Sequence, residues 1–279
     1  MQVNKPLIKL GQINFINCLP VNLPFQFLRV NPDQELDYRI IEGVPSALNL
    51  ALRTGEIDIA PISSFEYLSN KHLYEIVPDL SISSFKQADS VILFIKKDLQ
   101  INALQEIFIT NKSASSVNLL KILLKDFWGL DLNLIKFSVF DIEPLDCSAK
   151  LLIGDEALKQ KTINSDFSAI DLGTAWYEYS GLPMVFGLWT FNINSSCFSD
   201  LKTKDLIIKS LNSSRDNGLD QYLPDVIVEA YRLTGLPKKI LAEYFKNLNY
   251  GFNALHQAGL QHYEAKLKEF DLIKESLCK

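Results

Sequence analysis

The residues best placed to do chemistry are the serines and the backbone amides of residues 43–67, which begin Gly43-Val-Pro-Ser-Ala-Leu-Asn and end Ser63-Ser-Phe-Glu-Tyr67. This run reads as loop, helix, strand, loop, helix, and both helix starts sit beside glycine, proline or serine. A helix start offers unpaired N–H groups and the positive end of the dipole to an anion. Two such starts joined by one strand suit a small, negatively charged ligand. Pro45 fits the first helical position, and Leu48, Ala51 and Leu52 give an apolar face. Arg53 lies in the last turn and Gly55 follows as the C-cap. Ser63 and Glu66 have the Ser-x-x-Glu spacing of a capping box. Ser63 and Ser64 therefore read equally as helix caps and as ligand contacts, and the two roles can coexist.

Several chemistries have no residues to carry them. The chain has no Gly-x-Gly-x-x-Gly or Gly-x-x-x-x-Gly-Lys loop, no Gly-x-Ser-x-Gly elbow and no His-Glu-x-x-His motif. The cysteines, at 18, 147, 197 and 278, form no Cys-x-x-Cys pair. They read as free thiols in a reducing compartment. His72, His256 and His262 are scattered, so no metal site is expected. A net charge of −5 with no long basic run gives no support for nucleic-acid binding. No stretch has the apolar length of a membrane span. The first residues lack a signal-peptide core and read as an ordinary strand, so a cytoplasmic location is expected.

The elements that must position these groups alternate. Strands are expected at 7–13, 37–42, 57–61, 74–77, 90–96, 106–110, 134–140, 150–154, 167–171 and 184–190. Helices are expected at 45–54, 63–70, 116–128, 154–160, 173–180, 201–216, 224–234, 237–247 and 253–271. Such alternation over 279 residues predicts two α/β domains with largely parallel sheets. With no linker visible, the chain is expected to cross between sheets near 93–98 and 188–194. This gives a first lobe of residues 1–95 and 192–279 and an inserted second lobe of residues 96–191. Ligands of open α/β sheets bind at the carboxyl ends of strands, where the Ser- and Asn-bearing loops lie.

Several segments in one order carry a resemblance. They are Gly11-Gln-Ile-Asn-Phe-Ile-Asn-Cys-Leu-Pro20, the 43–64 run, Pro78-Asp-Leu-Ser-Ile-Ser-Ser84, Ser90-Val-Ile-Leu-Phe94 and Ser113-Ala-Ser-Ser-Val-Asn-Leu-Leu120. Leu152-Ile-Gly-Asp-Glu-Ala-Leu158, Asp171-Leu-Gly-Thr-Ala-Trp176 and Gly181-Leu-Pro-Met-Val-Phe-Gly-Leu-Trp189 follow. Together they resemble the bacterial chorismate dehydratases of the futalosine route to menaquinone. The resemblance implies a two-lobed type II periplasmic-binding-protein-like fold, with the second lobe inserted into the first around a cleft. It implies cofactor-independent dehydration of chorismate to 3-[(1-carboxyvinyl)oxy]benzoate. It also implies Asn17 and Ser90 as catalytic positions facing the substrate, and Ser115 and Ser116 as a hydroxyl pair at a helix start that holds a carboxylate. Ser63, Ser64 and Asp155 complete the expected substrate-binding set. Phe85-Lys-Gln-Ala-Asp89 departs from the glycine-containing loop usual in the family, and the charges of Lys86 and Asp89 are expected to face solvent. Trp176 and Trp189 are expected in the core.

Dehydration of chorismate removes the proton from the ring carbon that bears the enolpyruvyl ether and expels the neighbouring hydroxyl, with aromatisation as the driving force. Asn and Ser are poor bases at neutral pH. Asp155 or Glu66 serves as base, or a substrate carboxylate takes the proton while Asn17 and Ser90 fix its pose; the second is the preferred reading. Two rivals share the fold: a solute-binding protein that only captures a small anion, and 1,4-dihydroxy-6-naphthoate synthase. The oligomeric state is not legible.

Overall fold

The computed structural model describes residues 5–28, 36–142, 146–163 and 166–273; Cys278 lies outside them. In chain order the elements are β1 (Leu7–Ile13), α1 (Leu19–Leu28), β2 (Asp37–Gly43), α2 (Pro45–Thr54), β3 (Ile59–Ser63), α3 (Ser64–Ser69), β4 (Tyr74–Ser84), β5 (Val91–Lys96), β6 (Glu106–Thr110) and α4 (Ala114–Ile122). They continue with β7 (Lys136–Phe140), β8 (Ala149–Ile153), α5 (Gly154–Thr162), β9 (Phe167–Asp171), α6 (Leu172–Ser180), β10 (Met184–Asn192), α7 (Leu201–Leu219), α8 (Leu223–Thr234), α9 (Lys238–Asn247) and α10 (Ala254–Glu269). Two compact units are present: the described residues within Met1–Ile82, Gly187–Phe245 and Tyr250–Phe252 form unit 1, and those within Ser83–Phe186, Lys246–Asn249 and Asn253–Lys279 form unit 2. The last helix, α10, thus groups with unit 2.

One sheet has the order β2-β1-β3-β10-β4 and the other β7-β6-β8-β5-β9. Both are mixed rather than largely parallel. β1 runs parallel to β2 and β3, and β6 parallel to β7 and β8. β10 is antiparallel to β3, and β5 is antiparallel to both β8 and β9. The exceptions follow from connectivity. β5 and β10 lie where the chain has just passed from one unit to the other, so no crossover helix fixes their direction. β5 is buried over Val91–Ile95, as expected of an inner strand covered on both faces. In unit 2, Ile92, Phe94, Leu152 and Ala157 form a cluster against which Phe140 and Phe167 pack. Trp176 and Trp189 are both fully buried core residues.

Helix α1 has no counterpart among the expected elements because Pro20 and Pro24 mask it. Pro24 lies inside the helix. It lacks the N–H that would satisfy the Pro20 carbonyl, and its ring crowds that carbonyl. Tertiary contacts offset the penalty. α7 crosses here with Gly218 against the Pro20 carbonyl, and Ser214 Oγ donates to Val21 O at 2.5 Å. Asn22 Nδ2 donates to Ile13 O at 3.2 Å and ties α1 back to β1.

β4 is also longer than the expected 74–77. Pro78 and Asp79, the latter at φ +54°, interrupt the apolar pattern without ending the strand. The sheet order leaves β4 at an edge, where proline is tolerated. Arg215 binds the Asp79 carbonyl, and Phe252 N donates to Asp79 Oδ1 at 3.1 Å. The helix expected over 116–128 is α4 followed by a π-helical turn, Leu123–Phe127.

Candidate functional site

In unit 1, Asn17 lies in a 3-10 turn, Ile16–Cys18, wedged between β1 and α1. The turn is fixed by main-chain bonds. Cys18 N donates to Phe15 O at 3.0 Å, and Tyr250 Oη donates to Asn17 O at 2.9 Å. Burial pushes the Tyr250 phenol well above its usual pKa, which keeps it a donor. The side-chain Oδ1 of Asn17 is buried and has no hydrogen-bond partner. A buried unmade bond costs stability, and several other buried side-chain atoms, Gln12 Nε2 among them, share this state.

Ser63 caps α3, with Glu66 N donating to Ser63 Oγ at 3.1 Å. Ser64 is fully buried in the first turn. The Glu66 carboxylate is occupied by other groups. Its Oε1 accepts from Tyr74 Oη at 2.8 Å and from Asn70 Nδ2 at 3.1 Å, and Arg53 pairs with it at 3.3 Å. Burial, reinforced by Glu66, raises the Tyr74 pKa. Glu66 is thus engaged in holding α3 to α2 and β4. Glu66→Gln should keep turnover within about tenfold of wild type, whereas loss of a general base costs about 10²–10⁴-fold. A folded Glu66→Gln with turnover down by the larger factor would make Glu66 the base.

In unit 2, α4 begins at Ala114 with Ser113 as its cap: Ser116 N donates to Ser113 Oγ at 3.2 Å, and the two hydroxyls lie 2.9 Å apart. Ser115 and Ser116 are both buried, and Tyr263 Oη donates to Ser115 O at 2.9 Å. The first turn of α4 carries no acidic side chain, so no carboxylate of that turn offsets the dipole there. α5 differs, with Asp155 and Glu156 in its first turn. Of the two starts, α4 is the one suited to an anion.

Ser90 is buried beside the start of α5. Its carbonyl accepts from Gly154 N at 2.7 Å, and its Oγ lies 3.3 Å from Ala88 O, to which it donates. Ser90 and Asp155 are thereby brought close along the backbone. Asp89, expected to face solvent, is instead buried. Its carboxylate accepts from Lys161 and, at 2.7 Å, from Asn247 Nδ2. A buried carboxylate must be paired, and α5 and α9 supply the partners. Lys86 does face solvent, with its ammonium 5.6 Å from the centre of the Tyr177 ring.

Asp89 also sits at φ +61°, a left-handed conformation that is costly for a residue with Cβ. Asp89→Gly and Asp89→Ala both lose the carboxylate, so their difference isolates the backbone. The alanine variant should be less stable by about 1 kcal/mol in urea unfolding. Equal stabilities would contradict this.

Sequence reasoning did not single out Asp171 as a site residue. Its carboxylate accepts from Ala88 N at 3.1 Å, Asp89 N at 2.7 Å and Thr174 N at 3.0 Å. Burial pushes its pKa up despite these amides. The Asp-x-x-Thr cap was readable from the sequence; the bonds to residues 88 and 89 were not. Among the described residues, no group of three or more His, Cys, Asp or Glu is placed to hold a metal ion, and no helix is long and apolar enough to cross a membrane.

The architecture is shared with solved structures. An Archaeoglobus fulgidus protein, AF1704, superimposes with a TM-score of 0.75 at 14% identity, over 96% of this chain and 98% of that one. The periplasmic aliphatic sulphonate binding protein SsuA of Escherichia coli gives 0.69 at 13% identity, over 97% and 89%. The fold is therefore that of the periplasmic binding proteins, two-lobed and α/β. The family model described as menaquinone biosynthesis matches residues 8–269, and the chain belongs to that family. It is 28% identical to a protein of Thermus thermophilus named chorismate dehydratase, over 92% of this chain and 94% of the relative. A Campylobacter jejuni protein of the same name is 31% identical over 63% and 64%.

Proposed function

We propose that this chain is a hydro-lyase that removes water from chorismate to give 3-[(1-carboxyvinyl)oxy]benzoate, in the cytoplasm. The observation that carries the reading is near full-length similarity to a relative named chorismate dehydratase, within a family described by menaquinone biosynthesis. Local features within each unit fit it. Chorismate carries two carboxylates, and the start of α4 at Ser115–Ser116 is suited to hold one of them. Asn17 offers an unmatched amide oxygen on a pinned turn, suited to a substrate hydroxyl. Ser90 supplies a second orienting hydroxyl. Ser63, Ser64 and Asp155 are assigned supporting roles.

The proton on the ether-bearing carbon needs a base. Glu66 is tied to Tyr74, Asn70 and Arg53, which leaves Asp155 or the substrate's own carboxylate as acceptor, and the substrate carboxylate is the reading taken here. The C–H electron pair then forms the ring double bond as the neighbouring hydroxyl leaves, taking back the proton the carboxylate removed and departing as water. Holding the carboxylate against that carbon is an orientation effect, worth up to ~7–11 kcal/mol in favourable cases. Incubation with chorismate, followed by ultraviolet absorbance and mass spectrometry, tests the reading. A product lighter by one water is expected. Unchanged chorismate with a folded chain would overturn the proposal.

A further inference from the structure

Residues 84–90 are held with more contacts than a connecting loop requires. Ala88 N and Asp89 N, consecutive amides, both donate to the Asp171 carboxylate. Successive amides converging on one anion form a nest, occupied here by a side chain of the same unit. The left-handed Asp89 residue follows Ala88 directly, and its own carboxylate is fixed by Lys161 and Asn247. Glycine at position 173 permits the approach. A Cβ there would stand 2.5 Å from Lys86 O and 2.6 Å from Ser84 Oγ. Strained backbone persists only where its surroundings over-determine it. What these contacts fix is the Ala88 carbonyl, to which Ser90 Oγ donates at 3.3 Å, and the Ser90 backbone, held from the other side by Gly154 N at 2.7 Å.

We propose that Asp171 is a positioning residue for Ser90, acting through the Ala88 and Asp89 amides and never touching substrate. The inference rests on the reading of Ser90 as an orienting residue of the dehydratase. An asparagine at 171 keeps one acceptor oxygen and the N-cap role, but it offers the two amides a single neutral oxygen instead of a shared carboxylate.

The test is a double-mutant cycle on chorismate turnover with Asp171→Asn and Ser90→Ala, the melting temperature of each variant being followed. Asp171→Asn is expected to lower kcat about tenfold or more in the wild-type background and to change it less than about twofold in the Ser90→Ala background. A merely structural role would give multiplying effects. Gly173→Ala repeats the cycle with Asp171 intact, should Asp171→Asn fail to fold; it displaces the same segment and is expected to show the same dependence on Ser90. Multiplying effects with an active wild type would overturn the inference alone. Absence of turnover by the wild-type chain would overturn the dehydratase reading and this inference with it.

Discussion

Asn17→Ala lowers kcat/KM for chorismate by about 10²–10³-fold, the range seen when one preorganised polar group is removed from a reaction centre. The same substitution leaves thermal stability unchanged or raises it. Both halves follow from the geometry. The turn is held by its backbone, through Phe15 O, Tyr250 Oη and the Asn22 tie to β1, so alanine loses none of those bonds. The Oδ1 atom that alanine removes is buried without a partner in the free chain, and deleting an unsatisfied buried acceptor relieves a cost of about 1–3 kcal/mol. Lost activity with kept or gained stability marks a residue retained for function. Kinetics with chorismate beside differential scanning calorimetry checks this. Unchanged turnover, or a fall in activity explained by unfolding, would remove Asn17 from the site.

Gly218→Ala destabilises the protein by about 3 kcal/mol or more, against the ~1 kcal/mol gain that glycine to alanine brings inside an exposed helix. A Cβ on Gly218 would stand 1.9 Å from Pro20 O, 2.7 Å from its carbonyl carbon and 2.9 Å from its Cα. All three are backbone atoms, so no side-chain rotation relieves the clash. The carbonyl projects towards α7 because Pro24, four residues on, can neither bond it nor let it lie along the helix. α7 must therefore move away from α1, breaking the bond from Ser214 Oγ to Val21 O. Pro20 lies three residues beyond Asn17, so any folded fraction should also be slow on chorismate. Urea unfolding checks the first expectation; a stability equal to wild type would contradict the packing described here.

The regular elements were legible where periodicity and punctuation agree. α2 starts at Pro45 and ends at Gly55 in the left-handed conformation, with Arg53 in its last turn. The Ser63 cap is present. Legibility failed where a tertiary contact overrides a local signal. Pro20 and Pro24 are helix breakers by propensity, and their tolerance depends on Gly218 nearly two hundred residues further along the chain. Pro78 and Asp79 read as a strand end, yet the strand continues because Arg215 and Phe252 bind Asp79. Glu66 fitted a capping box by spacing, but its carboxylate turns to Tyr74, Asn70 and Arg53. The candidate site residues were named from motif segments. Their support was not legible: the clamp of Asp171 on residues 88 and 89 spans more than eighty residues, and no local pattern announces it. Asp89 looked like a surface charge because the sequence does not show Lys161 and Asn247 arriving beside it.

The central claim, loss of water across the ether-bearing carbon and its hydroxyl-bearing neighbour, is tested most directly with chorismate deuterated at the ether-bearing carbon. Mass spectrometry of the product from the purified chain should show loss of HDO, giving a product of the same mass as that from unlabelled chorismate. Deuterium retained in the product, or chorismate recovered unchanged from a folded chain, would contradict the account.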